Sequence, residues 1–218
     1  MHQHQAKSVA ARGRILHDAL GYDLLVWLLT RGRTRQFRHR LLDLARVTVG
    51  EHLLDIGCGT GTLAIEAKAR VGPPGVVAGI DPSPEMINRA RRKARRRADV
   101  DFREGAAECL PFVDGQFDVV TSTLMLHHLP RTVRETAVAE ANRVLKPGGR
   151  MLAVDFGGAP ASAPTLLNHL HRRRGHTTLE DITTLVRRAR FDILETGQVG
   201  LYDLNFVLAV KPIGQDRS

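Results

Sequence analysis

A glycine-rich loop that follows an acidic residue is the clearest candidate ligand site in the sequence. The segment LLDIGCGTGTLAIEA is an apolar run that ends at Asp55, followed by three glycines at alternate positions, Gly57, Gly59 and Gly61. A dinucleotide site has the pattern G-x-G-x-x-G, but this chain has Thr62 at the last position, and it contains no G-x-x-x-x-G-K-[ST] phosphate loop. The Asp55 carboxylate would repel a phosphate and attract an ammonium or sulfonium group. The loop is therefore predicted to bind a ligand that carries positive charge.

A second acidic residue lies where the next predicted strand ends. Asp81 stands in GIDPSPEM, and ligands of open α/β sheets bind outside the carboxyl ends of the strands. A carboxylate at this position can accept hydrogen bonds from both hydroxyls of a ribose. A glycine loop, an acid for an amine and an acid for a ribose together indicate an amino-acid nucleoside as the ligand.

Candidate catalytic residues follow the fourth predicted strand and lie near the amino terminus. His127 precedes His128 in LMLHHL and is the first candidate for a general base, which is needed when a reacting group must lose a proton. For His128 a structural hydrogen-bonding role is expected. Tyr22 is the second catalytic candidate, and Asp155, after the fifth strand, is a further one.

The elements that must position these residues alternate from residue 51 onward. Short apolar runs alternate with amphipathic stretches, which predicts a parallel sheet covered by helices. The predicted strands are His52–Ile56, Val76–Ile80, Val100–Arg103, Phe117–Ser122 and Arg150–Asp155. The predicted helices are Thr62–Arg70, Pro84–Ala98 and Pro130–Leu145. A further helix is expected at Leu179–Arg190, followed by two strands, 191–199 and 205–211, whose short link requires an antiparallel pair.

Two segments outside this pattern are predicted to shape the site. Residues 1–46 are expected to form a helical cap, with helix from residue 6 to residue 46, and residues 47–212 to form one globular unit. Within that unit, residues 157–175 begin with the loop GGAPASAP and are predicted to be a variable segment that shapes the pocket of the acceptor.

Composition favours one α/β unit with a basic surface. The chain has 218 residues, with 32 Lys and Arg against 23 Asp and Glu, and a formal charge of +9. Seven basic residues lie between Arg89 and Arg97, a run that is typical of a solvated helix face. Because no aromatic residues are interleaved with these arginines, the stacking surface of a single-stranded nucleic-acid site is missing.

Cysteine usage and apolar runs predict the compartment. Cys58 and Cys109 are too few for a disulfide scaffold, and neither they nor the histidines between residues 169 and 176 have metal-ligand spacing, so no metal is expected. The longest apolar run, Leu24–Leu29, is far shorter than the ~20 residues of a membrane span, and the first residues lack the apolar core of a secretion signal. These features predict a soluble, cytoplasmic protein.

Four segments together resemble a known family. LLDIGCGTG, GIDPSPEMINRAR, GAAECLPFVDGQFDVVTSTLMLHHL and EANRVLKPGGRMLAVDF are similar, in order and spacing, to the motifs of Rossmann-like S-adenosylmethionine-dependent methyltransferases. In detail they resemble the branch that contains the ubiquinone and menaquinone C-methyltransferases. The resemblance implies a doubly wound, seven-stranded sheet of order 3-2-1-4-5-7-6 with an antiparallel last strand. It also implies S-adenosylmethionine as cofactor and S-adenosylhomocysteine as product.

The resemblance implies roles for individual residues. Asp55 and the glycine backbone would hold the methionine part, Asp81 the ribose hydroxyls, and Met86 would lie along the adenine. The family often has an Asp where this chain has Ala106, which leaves the adenine amino group to nearby backbone groups. Thr121 would meet the methionine part and the substrate. The residues expected to contact the cofactor are Asp55, Gly57, Gly59, Gly61, Asp81, Pro82, Met86, Ala106, Ala107 and Thr121.

Several acceptors remain open at this point. A small quinone- or phenol-like molecule is favoured, and the segment Thr121–Leu124 differs from the [DNS]-P-P-[YFW] motif common in base amino methylation, so a nucleic acid is not expected. The alternatives are an RNA or phospholipid-headgroup methyltransferase, or a non-catalytic module that binds the cofactor. Peripheral contact with a membrane is also left open. A nicotinamide oxidoreductase is disfavoured by the glycine spacing and by the terminal antiparallel pair.

Overall fold

A seven-stranded sheet forms the centre of the protein. The computed structural model describes residues 34–95, 97–156, 178–200 and 204–214. The strands are β1 His52–Ile56, β2 Val76–Asp81, β3 Asp101–Glu104, β4 Phe117–Thr123, β5 Leu145–Phe156, β6 Asp192–Gln198 and β7 Leu204–Val210. Their order is β3-β2-β1-β4-β5-β7-β6, with parallel pairing from β3 to β5 and antiparallel pairing of β7 with both neighbours. The predicted fold class and strand order are confirmed.

Helices cover both faces of this sheet. They are α1 Thr34–Leu44, α2 Thr62–Val71, α3 Pro84–Ala94, α4 Arg131–Val144 and α5 Leu179–Arg188, with a 3₁₀ turn at Leu126–His128. The apolar sides of α1, α2 and α3 join one hydrophobic cluster, and those of α4 and α5 join a second cluster on the other face. The sheet is therefore doubly wound, as predicted.

Strand β1 shows why the sequence forms a sheet with two buried faces. Leu53 packs in the cluster beside α1 to α3, whereas Leu54 and Ile56 pack in the cluster beside α4 and α5. A parallel strand buried on both faces reads as a continuous apolar run because alternate side chains enter different cores. Asp55 interrupts this apolar run with an acidic side chain, close to the end of the strand where the glycine loop begins.

Local signals fix the starts of two helices. The side chain of Ser83 accepts a hydrogen bond from the backbone N–H of Met86, and Pro84 occupies the first turn of α3. At α5, Thr178 and Asp181 form a reciprocal capping box. These caps satisfy backbone donors that the first turn of a helix leaves unpaired.

Some boundaries differ from the sequence prediction. Helix α3 ends at Ala94 rather than Ala98, and α5 ends at Arg188 rather than Arg190. Strand β5 begins at Leu145 rather than Arg150 because residues 146–149 continue the ladder. The N–H of Gly148 donates to Lys211 O at 2.9 Å, and the Lys211 N–H donates to Gly149 O at 2.8 Å.

The predicted helical cap falls mostly outside the described residues, which begin at residue 34. The described part is α1, which ends at Leu44 because Arg46 takes a left-handed conformation with φ of 54°. The N–H of Val47 then donates to Leu42 O at 3.0 Å, a bond typical of a helix terminus. Among the described helices, none combines the length and the apolar character needed to cross a bilayer.

Candidate functional site

The glycine loop joins β1 to α2 and requires glycine for two reasons. Gly57, Gly59 and Gly61 have φ values of 71°, 52° and 74°, in the left-handed region that residues with a side chain rarely adopt. A Cβ atom on Gly61 would also lie 2.5 Å from the ring of Phe102, and one on Gly57 would collide with Met125. The N–H groups of Gly57 and Cys58 both donate to Ile80 O, at 2.8 and 3.0 Å, which ties the loop to β2.

Asp55 lies buried beneath this loop. Its side chain and backbone together are 3% exposed, and Oδ1 accepts a hydrogen bond of 2.7 Å from the hydroxyl of Thr121. Burial raises the pKa of Asp55 to about 7, the negative charge of Asp81 adds to the rise, and the Thr121 hydrogen bond opposes it. Within the described residues, no Lys, Arg or His side chain pairs with Asp55. A buried carboxylate in this state favours a cationic ligand over an anionic one.

Asp81 connects the loop to the start of α3. Its Oδ2 accepts from the N–H of Gly59 and its Oδ1 from the N–H of Ser83, both at 2.9 Å. Burial raises the pKa of Asp81, and the two backbone hydrogen bonds oppose the rise. Each carboxylate oxygen keeps a further lone pair, so the group can also accept from a bound ligand.

The other expected cofactor contacts differ in accessibility. Pro82 is exposed beside Asp81, whereas Met86 is buried in the protein. Ala106 is half-buried and Ala107 buried, in a segment that starts beside β2 because the N–H of Gly105 donates to Asp81 O at 3.1 Å. The structure therefore brings the segment that contains Ala106 next to Asp81.

Arg143 and Glu140 on α4 hold the loop after β3 through hydrogen bonds that the sequence analysis did not predict. We call this pair the Arg143 clasp. The guanidinium of Arg143 on α4 donates to the carbonyls of Phe112 and Leu110, at 2.8 and 3.0 Å, and pairs with Glu140. Glu140 accepts the N–H of Leu110 at 2.8 Å. The only signal in the sequence is the i, i+3 spacing of Glu140 and Arg143 on a predicted helix, which does not show where the pair points.

His127 lies at the carboxyl ends of β4 and β5, paired with an aspartate. Its Nδ1 is 2.7 Å from Oδ1 of Asp155, and its backbone N–H donates to Oδ2 of Asp155 at 3.0 Å. Asp155 is fully buried, whereas the His127 side chain is 16% exposed. The ring of His128 lies 3.9 Å from that of His127, centroid to centroid, at an interplanar angle of 42°. A signal for Asp155 was present in the sequence, since β1, β2 and β5 each carry an Asp at the carboxyl end of an apolar run.

The segment between β4 and this histidine crosses toward the glycine loop. Leu124 has a φ of 55°, uncommon for a residue with a side chain, and its N–H donates to Val154 O at 2.8 Å. The next residue, Met125, is the one whose side chain lies against Gly57. His127 therefore lies two residues after Met125, which contacts the glycine loop directly. This loop is the expected binding site of the methyl donor, S-adenosylmethionine.

Two elements of the predicted site lie outside the described residues. Tyr22 falls in residues 1–33, and the variable segment falls in residues 157–177. Their contribution to the site stays a prediction. In the described part of the chain, no group of His, Cys, Asp and Glu side chains has the arrangement of a metal site.

Comparison with known sequences identifies relatives that align with about 70% of this chain. A family model described as a methyltransferase domain matches residues 53–149. Over 154 residues the chain is 40% identical to a demethylmenaquinone methyltransferase of Thermus thermophilus, covering 70% of this chain and 69% of that protein. It is 36% identical over 156 residues to a ubiquinone/menaquinone biosynthesis C-methyltransferase of Pseudomonas putida. That alignment covers 70% of this chain and 59%, less than two thirds, of the Pseudomonas protein.

Solved structures share the fold at lower sequence identity. Phosphoethanolamine N-methyltransferase 2 of Haemonchus contortus, solved in complex with S-adenosyl-L-methionine, superposes with a TM-score of 0.74 at 20% identity. The superposition covers 91% of this chain and 58% of the Haemonchus chain. The strand topology, the glycine loop and the alignment with the Thermus relative, which covers 69% of that protein, all indicate the same family. The chain belongs to the S-adenosylmethionine-dependent methyltransferases.

Proposed function

We propose that this protein transfers the methyl group of S-adenosylmethionine to a small-molecule acceptor of the quinol or phenol type. The observation that carries the proposal is the pair of acids at the glycine loop, the buried Asp55 and the partly buried Asp81. Neither acid has a basic side chain as partner among the described residues. A cationic donor would supply the missing positive charge. The class of acceptor is supported by the Thermus relative, a demethylmenaquinone methyltransferase, and by the Pseudomonas relative, a ubiquinone/menaquinone biosynthesis C-methyltransferase.

The residues at the loop fit the parts of this donor. Asp55, with the backbone of Gly57, Gly59 and Gly61, would hold the methionine part, and Asp81 would accept from the ribose hydroxyls. Thr121 is fully buried and donates to Asp55, so we assign it the role of orienting that carboxylate. Met86 and Ala107 are buried and, with Pro82 and Ala106, would form the wall on the adenine side.

Methyl transfer requires the protein mainly to position the acceptor against the methyl group and to exclude water. When bound, the donor supplies an electrophilic methyl group on a sulfonium. Holding an acceptor in line with such a group can provide most of the acceleration, since effective molarities of ~10⁵ to 10⁸ M arise from orientation alone. His127 is our first candidate for a catalytic base at the acceptor, and Tyr22 is the second.

A binding experiment tests the first half of this proposal. Isothermal titration calorimetry with S-adenosylmethionine and S-adenosylhomocysteine should show micromolar binding to the wild type, and much weaker binding to Asp55→Ala. The exposed Asp192 on β6 provides a matched control, because Asp192→Asn removes a carboxylate far from the loop. Absence of binding to the wild type at millimolar donor would refute the proposal.

A transfer experiment tests the second half. Donor labelled in its methyl group is incubated with quinols, phenols, lipid amines and RNA, and the product fractions are separated. We expect label in a quinol or phenol product. Label in lipid amines or RNA would replace the proposed acceptor with a phospholipid headgroup or a nucleic acid. Donor binding without transfer to any class would indicate a non-catalytic binding module.

The proposed setting is the cytoplasm, with peripheral contact with a membrane where the acceptor is a lipid-soluble quinol. Both cysteines of the chain, Cys58 and Cys109, are unpaired thiols, which is compatible with a reducing compartment. Fractionation of cells that express a tagged chain, at low and at high salt, would separate a cytoplasmic from a membrane-associated pool.

A further inference from the structure

The bond between His127 and Asp155 constrains the proton on the histidine ring. An ionised carboxylate can only accept hydrogen bonds, so the proton in the 2.7 Å contact belongs to Nδ1 of His127. The other ring nitrogen, Nε2, then carries the lone pair in the neutral ring. The His127 side chain is partly exposed while Asp155 has no exposed surface, so a ligand can reach the histidine but not the aspartate.

The aspartate is itself held in place by the backbone. Its Oδ1 also accepts the N–H of Phe156 at 2.8 Å, and its Oδ2 accepts the N–H of His127 at 3.0 Å. The carbonyl of His127 receives a hydrogen bond of 3.4 Å from Arg134 on α4, whose side chain also donates to Leu129 O at 2.9 Å. The histidine is thus fixed at its ring, its N–H and its carbonyl.

Charged and titratable groups lie around His127. Asp155 places a carboxylate at Nδ1, Arg134 places a guanidinium at the backbone carbonyl, and the ring of His128 lies tilted against the His127 ring. A proton taken up at Nε2 makes the ring an imidazolium, which the carboxylate at Nδ1 stabilises.

We propose that His127 is a general base whose tautomer and orientation are set by Asp155, and that the acceptor loses a proton from a hydroxyl or an acidic ring carbon as it is methylated. This inference rests on the proposed function and narrows its acceptor class. The new bond joins the acceptor oxygen or carbon to the methyl carbon. The sulfur–carbon bond breaks, and its electron pair stays on sulfur. The acceptor proton passes to Nε2 of His127 and then to water.

Single-turnover rate constants provide the first test. With a phenol or quinol acceptor from the screen, His127→Asn and Asp155→Asn should each lower the rate constant by about 10²- to 10⁴-fold, the range for loss of general base catalysis. The affinity for S-adenosylhomocysteine should stay within twofold of wild type. His39→Asn on α1 is the matched control and should leave both quantities unchanged.

A series of acceptors separates catalysis from structure. Ring-substituted phenols of similar shape but increasing acidity are compared at one pH. A base is not needed for an acceptor that is already ionised, so the defect of His127→Asn should shrink as the acidity rises, and added imidazole should restore part of the rate with the weak acids. A purely structural role would give the same loss with every acceptor.

The outcomes distinguish this inference from the proposed function. If the wild type binds donor and transfers methyl, but both variants stay within threefold of the wild-type rate, the base role is wrong and the methyltransferase proposal stands. A loss that is constant across the acceptor series also overturns it. Should Asp155→Asn fail to fold, His127→Asn with the acceptor series still decides. Failure of the wild type to bind donor would refute both proposals.

Discussion

The two ends of the parallel strands treat their acidic residues differently. At the amino ends, Glu51 forms two hydrogen bonds of 2.8 Å with Arg150, and Asp118 accepts from Lys146 at 2.8 and 2.9 Å. Burial acts to raise the pKa of both carboxyls, but hydrogen bonds from these basic partners and from backbone N–H groups outweigh it, so both pKa values are lowered. The negative charges at this end are balanced within the chain.

At the carboxyl ends of β1 and β2, the acidic residues have no basic partners among the described residues. The pKa values of Asp55 and Asp81 are raised, chiefly by burial, and only a hydroxyl and backbone N–H groups donate to them among the described residues. Raised pKa values of this kind are typical of functional sites rather than of structural ion pairs. The difference indicates that one end of the sheet is stabilised by its own charges, whereas the other is completed by a ligand.

The largest expected effect comes from Asp81→Ala. This change removes the proposed acceptor for the ribose and leaves the N–H groups of Gly59 and Ser83 without their partner. Loss of a hydrogen bond to a charged group costs about 1.5–3 kcal/mol, so the affinity for S-adenosylmethionine should fall by ~10- to 150-fold. Calorimetric titration measures the affinity, and Asp192→Asn is the control. An affinity within threefold of wild type would place the ribose elsewhere.

Asp55→Asn should weaken donor binding and, unusually, favour folding at high pH. The affinity should fall by ~10 to 100-fold because a charge-assisted contact is lost. The folded pKa of about 7 lies above the ordinary value of 3.8, so the stabilisation from Asp55 is present below that ordinary value and is lost as the pH rises through 7. Relative to wild type, the free energy of unfolding of the variant should therefore increase from about pH 5 to pH 8.

Urea unfolding of the ligand-free proteins at both pH values measures this change. The amide oxygen of Asn can still accept from Thr121, so the variant keeps the hydrogen bond and loses only the charge. A free-energy difference between variant and wild type that is the same at both pH values would show that Asp55 is ionised throughout the range.

Donor affinity should itself depend on pH, with a smaller amplitude. A cationic donor binds better to ionised Asp55, so the affinity should rise about tenfold between about pH 5.5 and 7, and proton release should accompany binding. Titrations in two buffers of different ionisation enthalpy measure the released protons. In Asp55→Asn the rise should vanish, and its persistence there would assign the titration to another group.

The smallest expected effect is at the amino ends of the strands, where acidic residues have basic partners. Lys146→Met leaves Asp118 without its side-chain partner, but Lys146 and Asp118 are 40% and 28% exposed, so solvent screening limits the loss. We expect a decrease of about 0.5–1 kcal/mol in the free energy of unfolding and a donor affinity within twofold of wild type. A large loss of affinity would contradict the division of the sheet into a structural and a ligand-binding end.

The sequence predicts most of the fold because its signals are local. Apolar runs, helix periodicity and the short link between the last two strands need only neighbouring residues to be read. The predicted boundaries were less accurate where strand pairing decides them. Residues 146–149 belong to β5 because they form hydrogen bonds with Lys211, which directly follows β7.

The site was predictable only where its parts adjoin in sequence. The glycines and Asp55 lie within one short stretch, so their chemistry could be read directly. The Thr121–Asp55 bond joins residues 66 positions apart, and the His127–Asp155 bond residues 28 apart. Such contacts depend on strand order and register, which residue types alone do not give. The Arg143 clasp was missed for the same reason.

Cys58 gives the donor site a natural reporter. Its thiol lies behind the loop, with Sγ 3.8 Å from Gly59 O, and burial, with the charges of Asp55 and Asp81, raises its pKa well above the usual range. The thiolate is the nucleophile that attacks an alkylating reagent, so alkylation must await opening of the loop. In a chain with the exposed Cys109 replaced by Ser, the alkylation rate would count these openings, and protection by a bound nucleoside would reveal occupancy without any label or acceptor.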